Sequence, residues 1–222
     1  MITAHHLVFG RKAIVKNEGL ILDLPFQNSF IDATGKNTMI AGGTSNLPNF
    51  TLEGGEYAAT FNGSQSLKTN ANFVIGTDKV SISFWLKTSQ TAQSFITELS
   101  NDSDSNNAFR VQINGRGLEN KITGTDHNQS WNWANSSINI NDSTWRHFVI
   151  VINRSLGINQ NYIYINDTLQ SIQNSSTDNN GNFVNNILYI GQRGGSQYGF
   201  NGQIKFLKIF NYPLSTTEIT NL

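Results

Sequence analysis

The chain has 222 residues, with 15 Lys and Arg against 15 Asp and Glu, 14% charged residues and 11% aromatic ones. A neutral chain without a Lys/Arg run lacks the attraction that nucleic acid or an anionic membrane demands, so neither is expected as a partner. The absence of cysteine removes disulfides, thiolate zinc sites and a cysteine nucleophile together.

Residues 1–18, which include HHLVFGRKAIVKN, carry most of the local positive charge and read as an N-terminal arm or edge segment: either a frayed strand or an arm that docks on a larger assembly. They hold no apolar run long enough for a signal peptide, and no later segment approaches the length of a transmembrane helix. The expected location is a virion or an extracellular surface, reached without an export signal of the chain's own. Asn is the commonest residue, and the many Asn-X-Ser/Thr triplets follow from that bias.

From Gly19 a strand pattern begins at GLILDLPF. In VSISFWLK, Val80, Ile82, Phe84 and Leu86 share one face, and Ser81, Ser83 and Trp85 the other. AFRVQIN alternates in the same way with Phe109, Val111 and Ile113. TWRHFVIVIN, residues 144–153, is a continuous apolar run and predicts a central strand or one buried on both faces. YIYIND sets tyrosines on one face and isoleucines on the other; NILYIG and GQIKFLKIF complete the set. The loops between are rich in Asn, Ser, Gly and Asp, which tolerate left-handed backbone. About a dozen short strands separated by such turns predict a single all-β sandwich or jelly roll. The closing FNGQIKFLKIFNYPLSTTEI reads as a strand, a proline turn and a helical turn. Ser215 and Glu218 have the spacing of a capping box. Leu214, Ile219 and Leu222 are expected to cover an open end of the sandwich.

Five segments in order carry a resemblance: GLILDLPF…DATGKN, YAATFNGSQSLKT, VSISFWLK, WRHFVIVIN…YIYINDTLQ and LYIGQRGGSQYGFNGQIKFLKIFNYPLSTTEITNL. Together they resemble the laminin-G-like, concanavalin A-like jelly-roll domains over residues 19–222. The resemblance implies a two-sheet antiparallel sandwich with the last strand beside the first. It also implies where calcium would sit, on an acidic residue of the early loop, here Asp32 in DATGKN, with backbone carbonyls. The family's Ile-Asp-Asp is Ile204-Lys205-Phe206 in this chain, which removes a hard oxygen ligand and adds a positive charge. The run DSDSNN at Asp102 starts like an EF-hand loop but lacks Gly at the sixth position and Glu at the twelfth.

Related glucanases carry carboxylates at alternate positions of one strand, where they act as acid and nucleophile. Here Glu53 and Glu56 flank two glycines as in a turn, Glu98 reads as following a strand alone, and no hydrolase motif occurs. His147 reads as structural. An enzyme is therefore not expected, and glycoside hydrolase is kept only as an alternative. Sugar recognition needs aromatic faces and planar polar groups. The loop Thr125–Asn135, TDHNQSWNWAN, supplies Trp131, Trp133, Asp126, His127, Asn128 and Asn132, and the loop Gln192–Phe200 adds Arg193 and Tyr198. Trp85 and Trp145 read as core. The expectation is a non-catalytic module binding a glycan or cell-surface polysaccharide as part of a bacteriophage tail or capsid decoration. It contacts other virion proteins and forms a homo-oligomer that adds avidity. The rival expectation is a purely structural decoration or assembly subunit.

Overall fold

The structure, a computed structural model, describes residues 18–43, 46–99, 108–115, 120–127, 131–157, 160–172 and 179–222. Among them, two antiparallel sheets of eight and seven strands face each other. The eight-stranded sheet runs β13 (Thr168–Ile172), β12 (Asn161–Ile165), β11 (Arg146–Asn153), β6 (Lys79–Lys87), β15 (Asn201–Phe210), β4 (Glu56–Asn62) and β3 (Asn49–Glu53), with β1 (Leu20–Leu24) also on β15. The seven-stranded sheet runs β10 (Trp131–Asn135), β9 (Ile122–His127), β8 (Ala108–Ile113), β7 (Ser94–Leu99), β14 (Leu188–Ile190), β5 (Leu67–Thr69) and β2 (Met39–Ala41). This is the expected all-β, two-sheet jelly-roll sandwich. The expected arm at residues 1–18 lies outside the described residues except for Glu18.

The central strand is where the apolar run put it. β11 pairs with β6 on one side and β12 on the other, so Phe148 meets Phe84 and Ile165, and Ile150 meets Ile82 and Ile163. Phe84 and Phe148 stack with centroids 5.6 Å apart, a cross-strand aromatic pair. The core between the sheets reaches from Ile21 to Ile209 and fully buries Phe26, Phe84, Phe109 and Phe200 among others. Each such ring contributes roughly 1.5–3 kcal/mol of transfer free energy. At Gly124 the facing sheet leaves no room for a side chain: a Cβ there would sit 2.6 Å from Ile150 Cγ2.

β15, the last described strand, pairs with the first. Its first half pairs with β4 and its second half with β1, Leu22 opposite Ile209 and Leu24 opposite Leu207. The bulge between Lys205 and Lys208, with Phe206 at φ 54°, lies where β15 changes partner. The chain then turns at Pro213 into α1 (Thr216–Ile219), and the capping box of Ser215 and Glu218 is present in both directions. Leu214, Ile219 and Leu222 do not close an open end, as the sequence suggested. They pack with Val149, Val151, Tyr162 and Tyr164 on the outer face of the eight-stranded sheet. The reason lies in β11, whose outward residues Val149 and Val151 are as apolar as its inward ones and need a cover.

Two further expectations are corrected. Trp85 and Trp145 are not in the core; both are half-buried outside the eight-stranded sheet. Trp85 stacks on His147 at 5.5 Å, and the Lys205 ammonium lies 4.8 Å from the Trp145 ring centroid. Lysine ammonium groups sit over both indoles, Lys205 on Trp85 and Trp145 and Lys87 on Trp145, a cation–π cover at the surface. In the stretch Thr125–Asn135, read as a loop, the described residues belong to the paired strands β9 and β10, with Asn132 opposite Asp126 and Trp133 opposite Thr125.

Candidate functional site

Strand pairing draws one row of residues across the seven-stranded sheet: Trp133, Thr125, Arg110, Glu98, Tyr189, Lys68 and Ile40, each opposite the next. Their neighbours along the strands, Ala134, Phe109, Val111, Leu99, Leu188, Ile190 and Leu67, all belong to the core. Side chains alternate between faces, so the row stands on the face turned away from the other sheet. Trp133 and Lys68 are half-buried near its ends; Thr125, Arg110, Glu98 and Tyr189 between them are buried.

Glu98 is the centre of this face. Arg110 Nε lies 2.8 Å from Glu98 Oε1 and Arg193 Nε 3.6 Å from the same atom. The Gly194 N–H donates to Glu98 Oε2 at 3.1 Å. Gly194 and Gly195 both have positive φ, the backbone that lets the turn bring an N–H over the carboxylate. Burial pushes the Glu98 carboxyl up to about 7, against the pull of Arg110, Arg193 and the Gly194 N–H. The same turn carries Tyr198, 45% exposed, with its ring 5.7 Å from Phe95. The Arg193 guanidinium lies 5.6 Å and 6.0 Å from the centres of Phe95 and Tyr198. Thr125 Oγ1 is buried and makes no hydrogen bond among the described residues.

The structure thus brings three of the expected residues, Trp133, Arg193 and Tyr198, to one face. Trp131 is the first residue of the strand β10 that carries Trp133. Asn128 lies outside the described residues. Asp126 and Asn132 do not join the face: they point inward, fully buried. The Asp126 carboxylate accepts from Arg154 Nη2 at 2.6 Å and Asn179 Nδ2 at 3.1 Å, and Asn132 Nδ2 donates to Gln160 at 3.4 Å. In a strand, neighbours of an outward tryptophan must face in. Glu98, Arg110 and Tyr189 were missed. The available signal was the polar side chain at every second position of AFRVQIN and the glutamate inside SFITEL, a strand rather than its sequel.

Asp32 follows β1, and its carboxylate accepts from the N–H groups of Asp23, Thr34 and Asn37 and from the Thr34 hydroxyl and the Asn37 amide, at 2.7–3.0 Å. Burial raises its pKa, but these donors from Asp23, Asn37 and Thr34 together hold it below the ordinary aspartate value. A calcium ion needs six to eight oxygens. Asp32 is surrounded by hydrogen donors instead, and no group of three or more metal-ligating side chains occurs among the described residues. The donor set does not fit the ion; it fits a loop anchor.

Ser83 Oγ lies 2.9 Å from His147 Nε2, and His147 Nδ1 3.5 Å from Asp167. This is not a nucleophile's setting. Ser83 is 2% exposed on β6, which is paired on both sides, so its neighbours' N–H groups are not available to an oxyanion.

Domain 4 of the extracellular GH43 arabinanase AbnA of Geobacillus stearothermophilus, solved with arabinotriose, is similar at a TM-score of 0.72 and 18% identity over 91% of this chain and 97% of that one. The binding domain of botulinum neurotoxin DC, solved with SialylT, is similar at 0.65 and 19% over 92% of this chain and 50% of that one. The receptor-binding domain of botulinum neurotoxin type G is similar at 0.63 and 21% over 91% and 50%. The chain thus spans about half the length of these toxin domains. At such identities the likeness is one of fold. No curated protein sequence matches the chain. The family model described as the concanavalin A-like lectin/glucanases superfamily matches residues 61–220, most of the chain, and the chain belongs to that superfamily.

Proposed function

We propose that this protein is a non-catalytic carbohydrate-binding module whose ligand meets the outer face of the seven-stranded sheet. The observation that carries the reading is the convergence of Trp133, Tyr198 and Arg193 around the Glu98–Arg110 pair on that face. Aromatic rings under sugar C–H groups and planar charged groups on sugar hydroxyls are what such recognition requires. The unsatisfied Thr125 hydroxyl supports it, because a buried hydroxyl without a partner costs about 1–3 kcal/mol and calls for a ligand or water. Family membership, and relatives solved with arabinotriose and SialylT, support it further. The glycosidase alternative needs two carboxyl groups on one face, roughly 5–9.5 Å apart. Glu98 stands outward and Asp126 inward, which speaks for binding without hydrolysis.

A bacteriophage tail or capsid decoration, assembled as a homo-oligomer, is the setting we propose for it; the neutral, cysteine-free composition supports that setting. Detection of the chain in purified particles tests it.

The binding reading is tested on a glycan array that includes arabino-oligosaccharides and sialylated glycans. The wild type should retain at least one glycan. Trp131→Ala with Trp133→Ala, and separately Tyr198→Ala, should each weaken it about tenfold or more, that is by about 1.4 kcal/mol, with little change in Tm. A protein that binds no glycan, or variants that bind as the wild type does, overturn the reading. Release of reducing sugar overturns its non-catalytic part.

A further inference from the structure

The tyrosines of β12 belong to a different place. Tyr162 and Tyr164 stand on the outer face of the eight-stranded sheet, where they form one wall of a cleft of about 200 Å³. Pro213 and Thr216 of the C-terminal turn form the other wall, with Asn153 and Leu156 at one end. We propose that this cleft is a second ligand site, separate from the seven-stranded sheet, that takes a single neutral sugar ring.

Four features of the cleft support this. First, it is aromatic and apolar in the right place: both tyrosine rings are half-buried, and Leu156 at the mouth is 52% exposed. An exposed leucine beside two open rings is a surface that water covers poorly and a sugar's C–H face covers well. Second, apart from Ser215, which the capping box engages, its polar side chains keep free hydrogen-bonding groups. The hydroxyls of Tyr162, Tyr164 and Thr216 make no hydrogen bond among the described residues, and Asn153 uses only Oδ1, on Ser155, which leaves its amide N–H groups to donate. Third, the wall is held before any ligand arrives. Leu214 N–H donates to Ser81 Oγ at 2.9 Å, Ser81 Oγ donates to the Tyr212 carbonyl at 2.8 Å, and the capping box fixes α1. Such preorganisation lowers the cost of binding.

Fourth, charge and size select the class. None of the residues lining the cleft is charged, so an acidic saccharide finds no counter-ion there. A proline-rich peptide also docks on tyrosines, but it needs an elongated groove for several residues. An open cleft of about 200 Å³ lined by hydroxyl and amide groups suits one ring.

Saturation-transfer NMR on the full chain tests the site, with glucose-, galactose-, xylose- and arabinose-based disaccharides, glucuronate, galacturonate and a proline decapeptide as probes. Two kinds of variant are compared: Thr216→Arg, which fills the mouth from an exposed position, and Tyr162→Phe or Tyr164→Phe, which remove one hydroxyl and keep the ring. At least one neutral disaccharide should bind. Thr216→Arg should weaken it about tenfold or more at unchanged Tm, and each Phe variant about threefold to tenfold. Thr216→Arg should remove as much of the signal in a Tyr198→Ala background as in the wild type, which separates this site from the one proposed above. The proposal fails if no neutral sugar binds, if only uronates or the proline peptide bind, if Thr216→Arg has no effect, or if Thr216→Arg has no effect once Tyr198 is alanine.

Discussion

Arg154 and Asp126 form an ion pair at 2.6 Å between the two sheets, and both side chains are wholly shut off from solvent. Arg154 follows β11 in one sheet, Asp126 belongs to β9 in the other, and the guanidinium also lies 3.9 Å from the centre of the Phe183 ring. Removing one partner strands a buried charge. Asp126→Ala should therefore cost about 3–5 kcal/mol in urea unfolding, while Asp126→Leu with Arg154→Met should recover most of the loss. Glycan affinity of the protein that remains folded should not change. A small stability cost with abolished binding would instead make Asp126 a ligand contact.

Glu98 makes stability depend on pH in an identifiable direction. Its carboxyl titrates at about 7 in the folded state, against 4.5 ordinarily. Between those values the folded protein keeps a proton that the unfolded chain has released. Its contribution is thus most favourable below the lower value and declines as pH rises to the upper one. Glu98→Gln carries no titration. Its stability relative to wild type should rise from about pH 5 to 7 and then level off. Parallel urea-midpoint profiles for the two proteins contradict this assignment.

His147 works in the opposite sense. Burial lowers its pKa from 6.5, the Asp167 carboxylate partly restores it, and Lys208 depresses it further. The unfolded chain takes up a proton first as pH falls, so the folded state loses stability below about 6.5. Asp167→Asn removes the carboxylate that raises this pKa. The imidazole titration followed by NMR should move to lower pH in that variant, and the acid loss of stability should steepen. An upward or absent shift refutes the role given to Asp167.

Asp32 anchors the loop after β1. Asp32→Ala leaves the N–H groups of Asp23, Thr34 and Asn37 without their acceptor and should cost about 1–3 kcal/mol by urea unfolding. Because its folded pKa lies below 3.8, its contribution is present above that value and is lost as pH falls through the folded pKa. Chelator should leave Tm unchanged; a Tm that falls with chelator and is restored by calcium contradicts the loop-anchor role.

The residues themselves determined a good deal. Alternation in VSISFWLK and AFRVQIN, the unbroken run of β11 and the capping box of Ser215 with Glu218 are local patterns, and each appears in the fold where it was read. A two-sheet sandwich follows because that many amphipathic strands can bury their apolar faces only against each other. What the chain could not declare is the phase and the partner of each strand. A strand's two faces differ by a single residue, so WNWAN could not reveal whether Trp133 or Asn132 looks outward, nor TDH whether Asp126 meets a ligand or Arg154. Only pairing set Trp133, Arg110 and Glu98 in one row and delivered Arg193 to it from a turn distant in sequence. The same holds for Trp85 and for the C-terminal turn. Their cover was decided by which outward faces remained apolar after the core had closed, a property of the assembled sheets and not of any segment.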